Sequence, residues 1–137
     1  MRAVKWILKF GSYYEKDDIF HQVERGFKTI ETRPVNNEKK RNYSQIAVGD
    51  KLILWSLDSG RKLERAAEFV HVYRSVKEMA EHEDVGKIFP GVQSPDELVR
   101  VFENLKIRWG TEYARKLEQF GVVAIGMKET EVKADGD

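Results

Sequence analysis

Eight consecutive residues, Gly26 to Arg33, carry the charged side chains of this chain that are best placed to do chemistry. The run sets Lys28, Glu31 and Arg33 within six positions and is followed by a proline. It has little aliphatic content, so packing alone does not explain its composition. A lysine and an arginine beside a carboxylate can bind a phosphate or the polar edge of a base, and the carboxylate can also activate water. These three residues are therefore the first candidates for a functional site.

The geometry of a strand decides whether the three charges can act together. In an extended segment Glu31 and Arg33 point to the same face. Strict alternation would place Lys28 on the opposite face, so the charges converge only if the strand begins after Lys28, as Gly26 permits. Two interpretations stay open: a structural ion pair that closes a barrel, or a site in which Arg33 binds a ligand and Glu31 orients it.

Tryptophan side chains offer flat surfaces on which a base could stack. Trp6 and Trp55 lie in apolar strand patterns, which favours core packing over ligand binding. Trp109 lies beside Arg108 and Gly110 and is a better candidate for the mouth of a cleft.

A polar stretch at residues 36–45 is predicted to be a loop and contains Lys39, Lys40, Arg41 and Tyr43. These side chains could grip a phosphate backbone, and a merely solvated loop is an equal alternative. The three histidines have no ligand spacing and cysteine is absent, so neither a metal nor another cofactor is predicted.

The totals describe one ordinary globular domain, residues 1–137. A net charge of +1 argues against nonspecific coating of nucleic acid, so any such contact must come from a local patch or pocket. No apolar run is long enough to span a membrane, and the charged N-terminus is unlike a signal peptide. These features, with the absence of cysteine, point to the cytoplasm.

Hydrophobic periodicity predicts helices inserted between strands. On the strand predicted at 65–73, alternation places Ala67, Phe69, His71 and Tyr73 on one face. The predicted strands are 4–10, 26–33, 51–55, 65–73 and 122–127, and the predicted helices are three turns from residue 17, 76–82, one that Ser94 caps, and 111–119. This order indicates an α+β fold with a small curled sheet or barrel, a core over residues 3–128 and a flexible tail at 129–137.

The pattern Gly26-x-Lys28-x-x-Glu31-x-Arg33 resembles the GxKxxExR signature of the ASCH domain family. The preceding helix, the turn at 48–50 and the closing apolar strand also agree, so the resemblance spans about residues 3–128. It implies a PUA-like small β-barrel with helices inserted between strands. It also implies a cleft, lined by the motif, that is associated with RNA or modified nucleotides.

One branch of small ASCH proteins is similar in size and hydrolyses N4-acetylcytidine. There the motif lysine works with a threonine three residues later and with a downstream glutamate. This chain keeps the lysine as Lys28 but holds Glu31 at the threonine position, and Glu83 or Glu81 would be the downstream acid. Glu31 would then have to activate water while Lys28 or Arg33 stabilises the oxyanion.

Three functions follow from these observations. The first is an RNA- or modified-nucleotide-binding domain with Gly26, Lys28, Glu31 and Arg33 in the cleft, aided by the aromatic residues and the 39–41 loop. The second is a small hydrolase, either an N4-acetylcytidine-type amidohydrolase or a ribonuclease, that uses the lysine with Glu31 or Glu83. The third is a non-catalytic regulatory or interaction module.

Overall fold

The computed structural model describes residues 4–11, 18–38 and 42–130. Five strands form one mixed sheet that curls into a half-barrel, and helices are inserted between the strands. The strands are β1 (Lys5–Phe10), β2 (Ile30–Pro34), β3 (Lys51–Ser56), β4 (Lys62–Tyr73) and β5 (Val122–Glu129). The helices are α1 (Asp18–Glu24), α2 (Val76–His82), α3 (Val85–Ile88), α4 (Pro95–Trp109) and α5 (Thr111–Phe120), with a short 3-10 helix at Tyr43–Gln45. The predicted α+β class is confirmed.

The strands are ordered β1-β3-β4-β5-β2 across the sheet, so β1 and β2 form its two edges. β1 pairs with β3 in parallel, and the other three pairs are antiparallel. Curling brings the two edges close to one another. The guanidinium Nη2 of Arg33 on β2 donates a hydrogen bond of 2.8 Å to the backbone carbonyl of Lys9 on β1. We refer to this gap between β1 and β2 as the seam.

Two hydrophobic cores lie on opposite sides of the sheet. The inner core fills the concave face, where Leu8, Leu52 and Leu54 meet Phe20 from α1. The outer core lies between the helices and the other face of β4, β5 and β2, and its buried members include Met79, Leu98, Phe102, Leu117 and Ala124. Burial of this apolar surface holds the seam at a fixed width because both edge strands are anchored in a core.

The corner between α4 and α5 places aromatic side chains beside the seam. α4 begins as predicted: the Ser94 hydroxyl accepts a hydrogen bond from the Glu97 amide at 3.1 Å, and Pro95 occupies the first turn. Gly110 has a φ of 97°, which suits glycine and allows the chain to turn sharply into α5. This corner is where Trp109 ends one helix.

A buried carboxylate ties the start of β1 to the turn before β3. Asp50 accepts hydrogen bonds from the Val4 amide at 3.1 Å, the Trp6 indole at 2.9 Å and the Ala47 amide at 2.9 Å. Trp6 is only 7% exposed, as the prediction of core packing requires. The turn at 48–50 was predicted, but the capping role of Asp50 was not.

A β-bulge overturns one predicted strand face. Ala67 is aligned with Met127, whereas Phe69 is aligned with Gly126, so one extra residue interrupts the alternation. Ala67 therefore belongs to the inner core, while Phe69 and Tyr73 pack against the outer core. The predicted shared face holds for Phe69, His71 and Tyr73 but was wrong for Ala67, because alternation assumes an unbroken ladder.

Smaller differences concern lengths. The first helix has two turns, not three, within the described residues, and the 36–45 loop contains the 3-10 helix. The short helix α3 was not predicted, and β5 extends to Glu129, into the predicted tail. None of the helices in the described ranges has the length and apolarity that a membrane span needs.

Candidate functional site

The turn after α1 aims the lysine of the motif toward the seam. The amides of Phe27 and Lys28 both donate to the Gln22 carbonyl, at 2.9 and 3.1 Å, which closes the C-terminal end of the helix. Gly26 in this turn has a φ of 82°, which favours glycine, and β2 starts only at Ile30. The strand thus begins after Lys28, which is the condition under which the three charges converge.

The ammonium group of Lys28 is buried and surrounded by acceptors. Its Nζ lies 2.7 Å from the carbonyl oxygens of Ile30 and Ile88, and 3.3 Å from Oε1 of Glu31. Three acceptors use all three protons of an ammonium group. A neutral amine in this place would direct its lone pair at the Glu31 carboxylate, which is unfavourable. The geometry therefore fits a charged lysine that is fully engaged.

Glu31 is equally saturated. One carboxylate oxygen accepts from the Thr32 amide at 3.1 Å and faces Lys28, and the other accepts from Nε and Nη2 of Arg33 at 3.1 and 2.9 Å. Four donors thus occupy its roughly four lone-pair positions. The two-point contact with Arg33 fixes the plane of the guanidinium group.

Burial and charge shift the pKa values of this cluster in defined directions. Burial lowers the pKa of Lys28, and the attraction of Glu31 offsets this only in part. Burial by itself would raise the pKa of Glu31, but Lys28 and Arg33 outweigh it and hold that pKa below its usual range. Glu31 is therefore an anion at neutral pH.

Arg33 presents the remaining donor of the cluster. Its guanidinium carbon lies 5.4 Å from the ring centre of Phe10 and 5.5 Å from that of Tyr43, so two aromatic rings flank it. Nε and Nη2 are used by Glu31 and by the Lys9 carbonyl. No residue in the described part of the chain accepts a hydrogen bond from Nη1, so this atom can serve a ligand.

A cavity of about 300 Å³ opens at the seam over this cluster. Its polar wall is formed by Lys28, Glu31, Thr32 and Arg33. Its apolar wall comes from both cores and from the α4–α5 corner, and its members are Phe10, Ile19, Leu57, Phe89, Leu105, Trp109 and Tyr113. The volume lies at the lower end of the range for small-molecule sites. One flat ring system with a polar edge suits such a space.

A second cavity of about 560 Å³ adjoins the first. The two share Arg33, Trp109 and Tyr113. The second cavity is also lined by Asn36 and Asn42 and by two lysines, Lys5 and Lys116. A ligand that places a ring in the first cavity could therefore extend a charged group into the second.

The structure brings some of the other predicted site residues to these cavities and keeps others away. Trp109 lines both cavities and is 37% exposed, and Tyr43 lines the second. Trp55 lines neither cavity, because it points to the convex face of β3. Gly26 shapes the turn and is not in the cavity wall. The predicted residues Lys39, Lys40 and Arg41 lie outside the described residues.

Glu83 is separated from the charge cluster. Its carboxylate bonds to Nδ1 of His71 at 2.6 Å and to the Tyr73 hydroxyl, and it lines neither cavity. The suggested downstream acid is thus placed elsewhere, because the C-terminal end of α2 lies over β4. The predicted partnership of Glu83 with Lys28 is not supported by this geometry.

Three aromatic residues of the first cavity were missed in the sequence. Phe10 and Phe89 appear there as ordinary apolar residues, and the fold places both in the cavity wall. Tyr113 lies four residues after Trp109, across the turn at Gly110, and their ring centres are 4.7 Å apart. Because Gly110 separates the two helices, helical periodicity gave no signal for this pair. In the described ranges no three histidine, aspartate or glutamate side chains are grouped to hold a metal ion.

Comparisons with known proteins support the fold and leave the ligand open. No family model and no curated protein matches the chain. The crystal structure of hypothetical protein PH0355 is similar, with 28% identity over 93% of this chain and 100% of that one, at a TM-score of 0.66. The solution NMR structure of protein PF0455 from Pyrococcus furiosus is 26% identical over 94% of this chain and 100% of that one, at a TM-score of 0.60.

Proposed function

We propose that the chain is an ASCH-type, PUA-like domain whose seam cavity binds a nucleobase of RNA or of a modified nucleoside or nucleotide. The observation that carries this proposal is the geometry of the Arg33 guanidinium group. Its guanidinium plane is fixed by Glu31 and flanked by Phe10 and Tyr43, while Nη1 has no described acceptor. A fixed donor at the edge of an apolar cavity is suited to the carbonyl or ring nitrogen of a base.

The aromatic residues around the cavity supply the rest of the affinity. Trp109, Tyr113, Phe89 and Phe10 all line the first cavity. Stacking of a base on such side chains contributes about 1–3 kcal/mol per base. The buried charges of Lys28 and Glu31 set the position of Arg33, so they act on the ligand indirectly.

The hydrogen bonding of the cluster favours binding over hydrolysis. A general base needs a free acceptor near the substrate, and all the acceptor positions of Glu31 have donors. A lysine base needs a free lone pair, and Lys28 has three acceptors around its Nζ. Hydrolysis through these residues would require the cluster to be rebuilt in the complex.

Calorimetric titration of the purified protein with cytidine, N4-acetylcytidine and cytidine monophosphate tests the proposal. We expect saturable binding of at least one of these compounds without turnover by mass spectrometry. Arg33→Lys keeps the charge but loses the planar fork, so we expect affinity to fall about tenfold. Arg65→Lys, at a half-buried arginine on β4 that lines neither cavity, is the matched control and should bind normally.

Three results would oppose the proposal. If none of the compounds binds, or if Arg33→Lys binds as tightly as the native chain, the cavity is not a base site of this kind. If N4-acetylcytidine is deacylated and Lys28→Met abolishes the turnover, the hydrolase is the better account.

A further inference from the structure

Part of the convex face of the sheet is left uncovered by the helices of the described ranges. The helices pack against the second half of β4 and against β5 and β2, where Phe69, Ala124 and Ile30 join the outer core. On β1, β3 and the first half of β4 the same face carries exposed or half-exposed side chains. Ile7 on β1, for example, is 50% exposed.

This uncovered face is strongly basic, although the whole chain is nearly neutral. Strand register sets Lys5 beside Lys51, and Lys9 and Lys62 on either side of Trp55. Lys128 extends the row of Lys5 and Lys51 across β5, since it is aligned with Ala66. An acidic residue, Glu64, lies in the row between these two, aligned with Ile53, and its carboxylate is 3.7 Å from Nζ of Lys51. We call this surface the outer lysine face; it comprises Lys5, Lys9, Lys51, Lys62, Lys128 and Trp55.

Trp55 is the aromatic centre of the outer lysine face. The Nζ atoms of Lys9 and Lys62 lie 5.8 and 5.1 Å from its ring centre. Cation–π contacts of this kind hold the ammonium groups beside the indole without neutralising them. Neither Nζ forms an ion pair with any residue in the described ranges. Both positive charges are thus available to a partner.

We propose that the outer lysine face binds a single-stranded polynucleotide, with a base on Trp55 and phosphates on the lysines. Adjacent strands are about 4.8 Å apart, so Lys9 and Lys62 each flank the indole by one strand spacing. A base that stacks on Trp55 displaces one of the two ammonium groups from the ring. That ammonium group then lies near the phosphate of the same nucleotide. An acidic peptide would satisfy the lysines but has no ring to cover the indole, so alternating rings and phosphates fit better.

The outer lysine face also leads to the seam. Lys9 lines the first cavity, and Lys5 and Ile7 line the second. A polynucleotide that crosses Trp55 can therefore continue over the edge of β1 and present a nucleotide to the cavity. This continuity rests on the proposed function of the cavity, whereas binding at Trp55 itself does not.

Fluorescence anisotropy with short labelled oligonucleotides tests this inference. The probes are an unstructured RNA, the DNA of the same sequence and the DNA duplex. We expect Trp55→Leu to weaken single-strand binding about tenfold. We expect Lys62→Gln to weaken it about threefold and to reduce the slope of log affinity against log salt by about 0.7. Lys77→Gln, at an exposed lysine on α2, is the matched control and should bind normally.

Several outcomes would overturn the inference. Equal affinities of the native chain, Trp55→Leu and Lys62→Gln would do so, as would an equal loss in the Lys77→Gln control. Tighter binding of the duplex than of the single strands would contradict stacking on Trp55. Competition by polyglutamate at the same charge concentration would assign the face to an acidic peptide instead.

The cavity and the face can fail separately. Calorimetry with cytidine monophosphate reports on the cavity, and Trp55→Leu should leave that signal unchanged because Trp55 lines neither cavity. If no mononucleotide binds but single strands still require Trp55, the cavity proposal fails and the inference about the face stands. If mononucleotides bind normally and the binding of single-stranded oligonucleotides does not depend on Trp55, the inference about the face fails and the cavity proposal stands.

Discussion

Two charge clusters of three side chains lie in opposite environments in the described part of the chain. Lys28, Glu31 and Arg33 meet at the seam, where the lysine is 3% exposed and the glutamate 7%. Arg115 meets Glu38 and Glu112 on the surface, at 2.8 and 3.1 Å, and the carboxylate side chains there are more than half exposed. The nitrogen–oxygen distances in the two clusters are similar. Distance alone therefore does not distinguish a cluster that organises a site from one that is merely exposed.

Solvent makes the difference. On the surface, water and salt compete with each ion pair, and such pairs contribute about 0–1 kcal/mol. At the seam, Lys28 and Glu31 are buried away from water, so removing one partner leaves a buried charge without compensation. The buried cluster therefore fixes the guanidinium group of Arg33 rigidly, which is what a preorganised binding site needs.

The largest expected effect is that of Glu31→Gln. The amide keeps the shape of the side chain but leaves the buried Lys28 and the half-buried Arg33 as two cations without an anion. We expect the free energy of unfolding in urea to fall by about 3–5 kcal/mol. Glu112→Gln makes the same change on the surface, where solvent screens the charges, and should leave the free energy of unfolding nearly unchanged. Equal effects of the two substitutions would erase the distinction drawn here.

A double-mutant cycle sharpens the comparison. Lys28→Met and Glu31→Gln remove the two partners of one buried pair, and we expect their coupling energy to be about 2 kcal/mol. The surface cycle of Arg115→Gln with Glu112→Gln should give nearly additive effects, because solvent screens that pair. Additive effects at Lys28 and Glu31 would mean that the buried pair contributes no more than a surface pair.

Acid should remove the contribution of Glu31 in a defined window. The folded pKa of Glu31 is depressed from its usual value of 4.5, so its charge stabilises the folded state fully above that pH. The difference in unfolding free energy between the native chain and Glu31→Gln should be flat near neutral pH. Below 4.5 it should shrink by at most about 1.4 kcal/mol per pH unit, until the pH passes the folded pKa. A difference that grows toward low pH would mean that the folded pKa is raised.

The smallest effect is expected at Arg115. Arg115→Gln breaks both surface pairs, and we expect only a slight loss of unfolding free energy, which disappears in about 1 M salt. Denaturation in urea with and without salt measures it. A loss as large as that of Glu31→Gln that persists in salt would show that this cluster, too, is structurally essential.

The sequence predicts that Lys28, Glu31 and Arg33 converge only on the condition that the strand begins after Lys28. Alternation placed Glu31 and Arg33 on one face, and Gly26 allowed a strand that begins after Lys28, but the actual start depends on how α1 ends. The saturation of Lys28 could not be predicted, because one acceptor is the Ile88 carbonyl, 60 residues away in the chain. Long-range contacts of this kind leave no periodic signal.

The remaining differences have equally local causes. The bulge between Ala67 and Phe69 breaks a strand pattern that looks regular in sequence. Trp55 shows the alternation expected of a strand, yet which face of the sheet is covered depends on where distant helices pack. Glu83 was suggested as the catalytic acid because it lies downstream of the motif in the sequence. In the structure, its contacts with His71 and Tyr73 place it apart from the seam.

Proton–nitrogen correlation NMR spectra recorded during titration with cytidine monophosphate test most directly the claim that the seam cavity binds a base. The chain has three tryptophans, whose indole N–H signals report on different places. Trp109 lines the seam cavity, whereas Trp55 lies on the convex face. We predict that the Trp109 signal shifts saturably while the Trp55 signal stays in place, and that Arg33→Lys weakens the shift. An unmoved Trp109 signal at saturating ligand would contradict a base site at the seam.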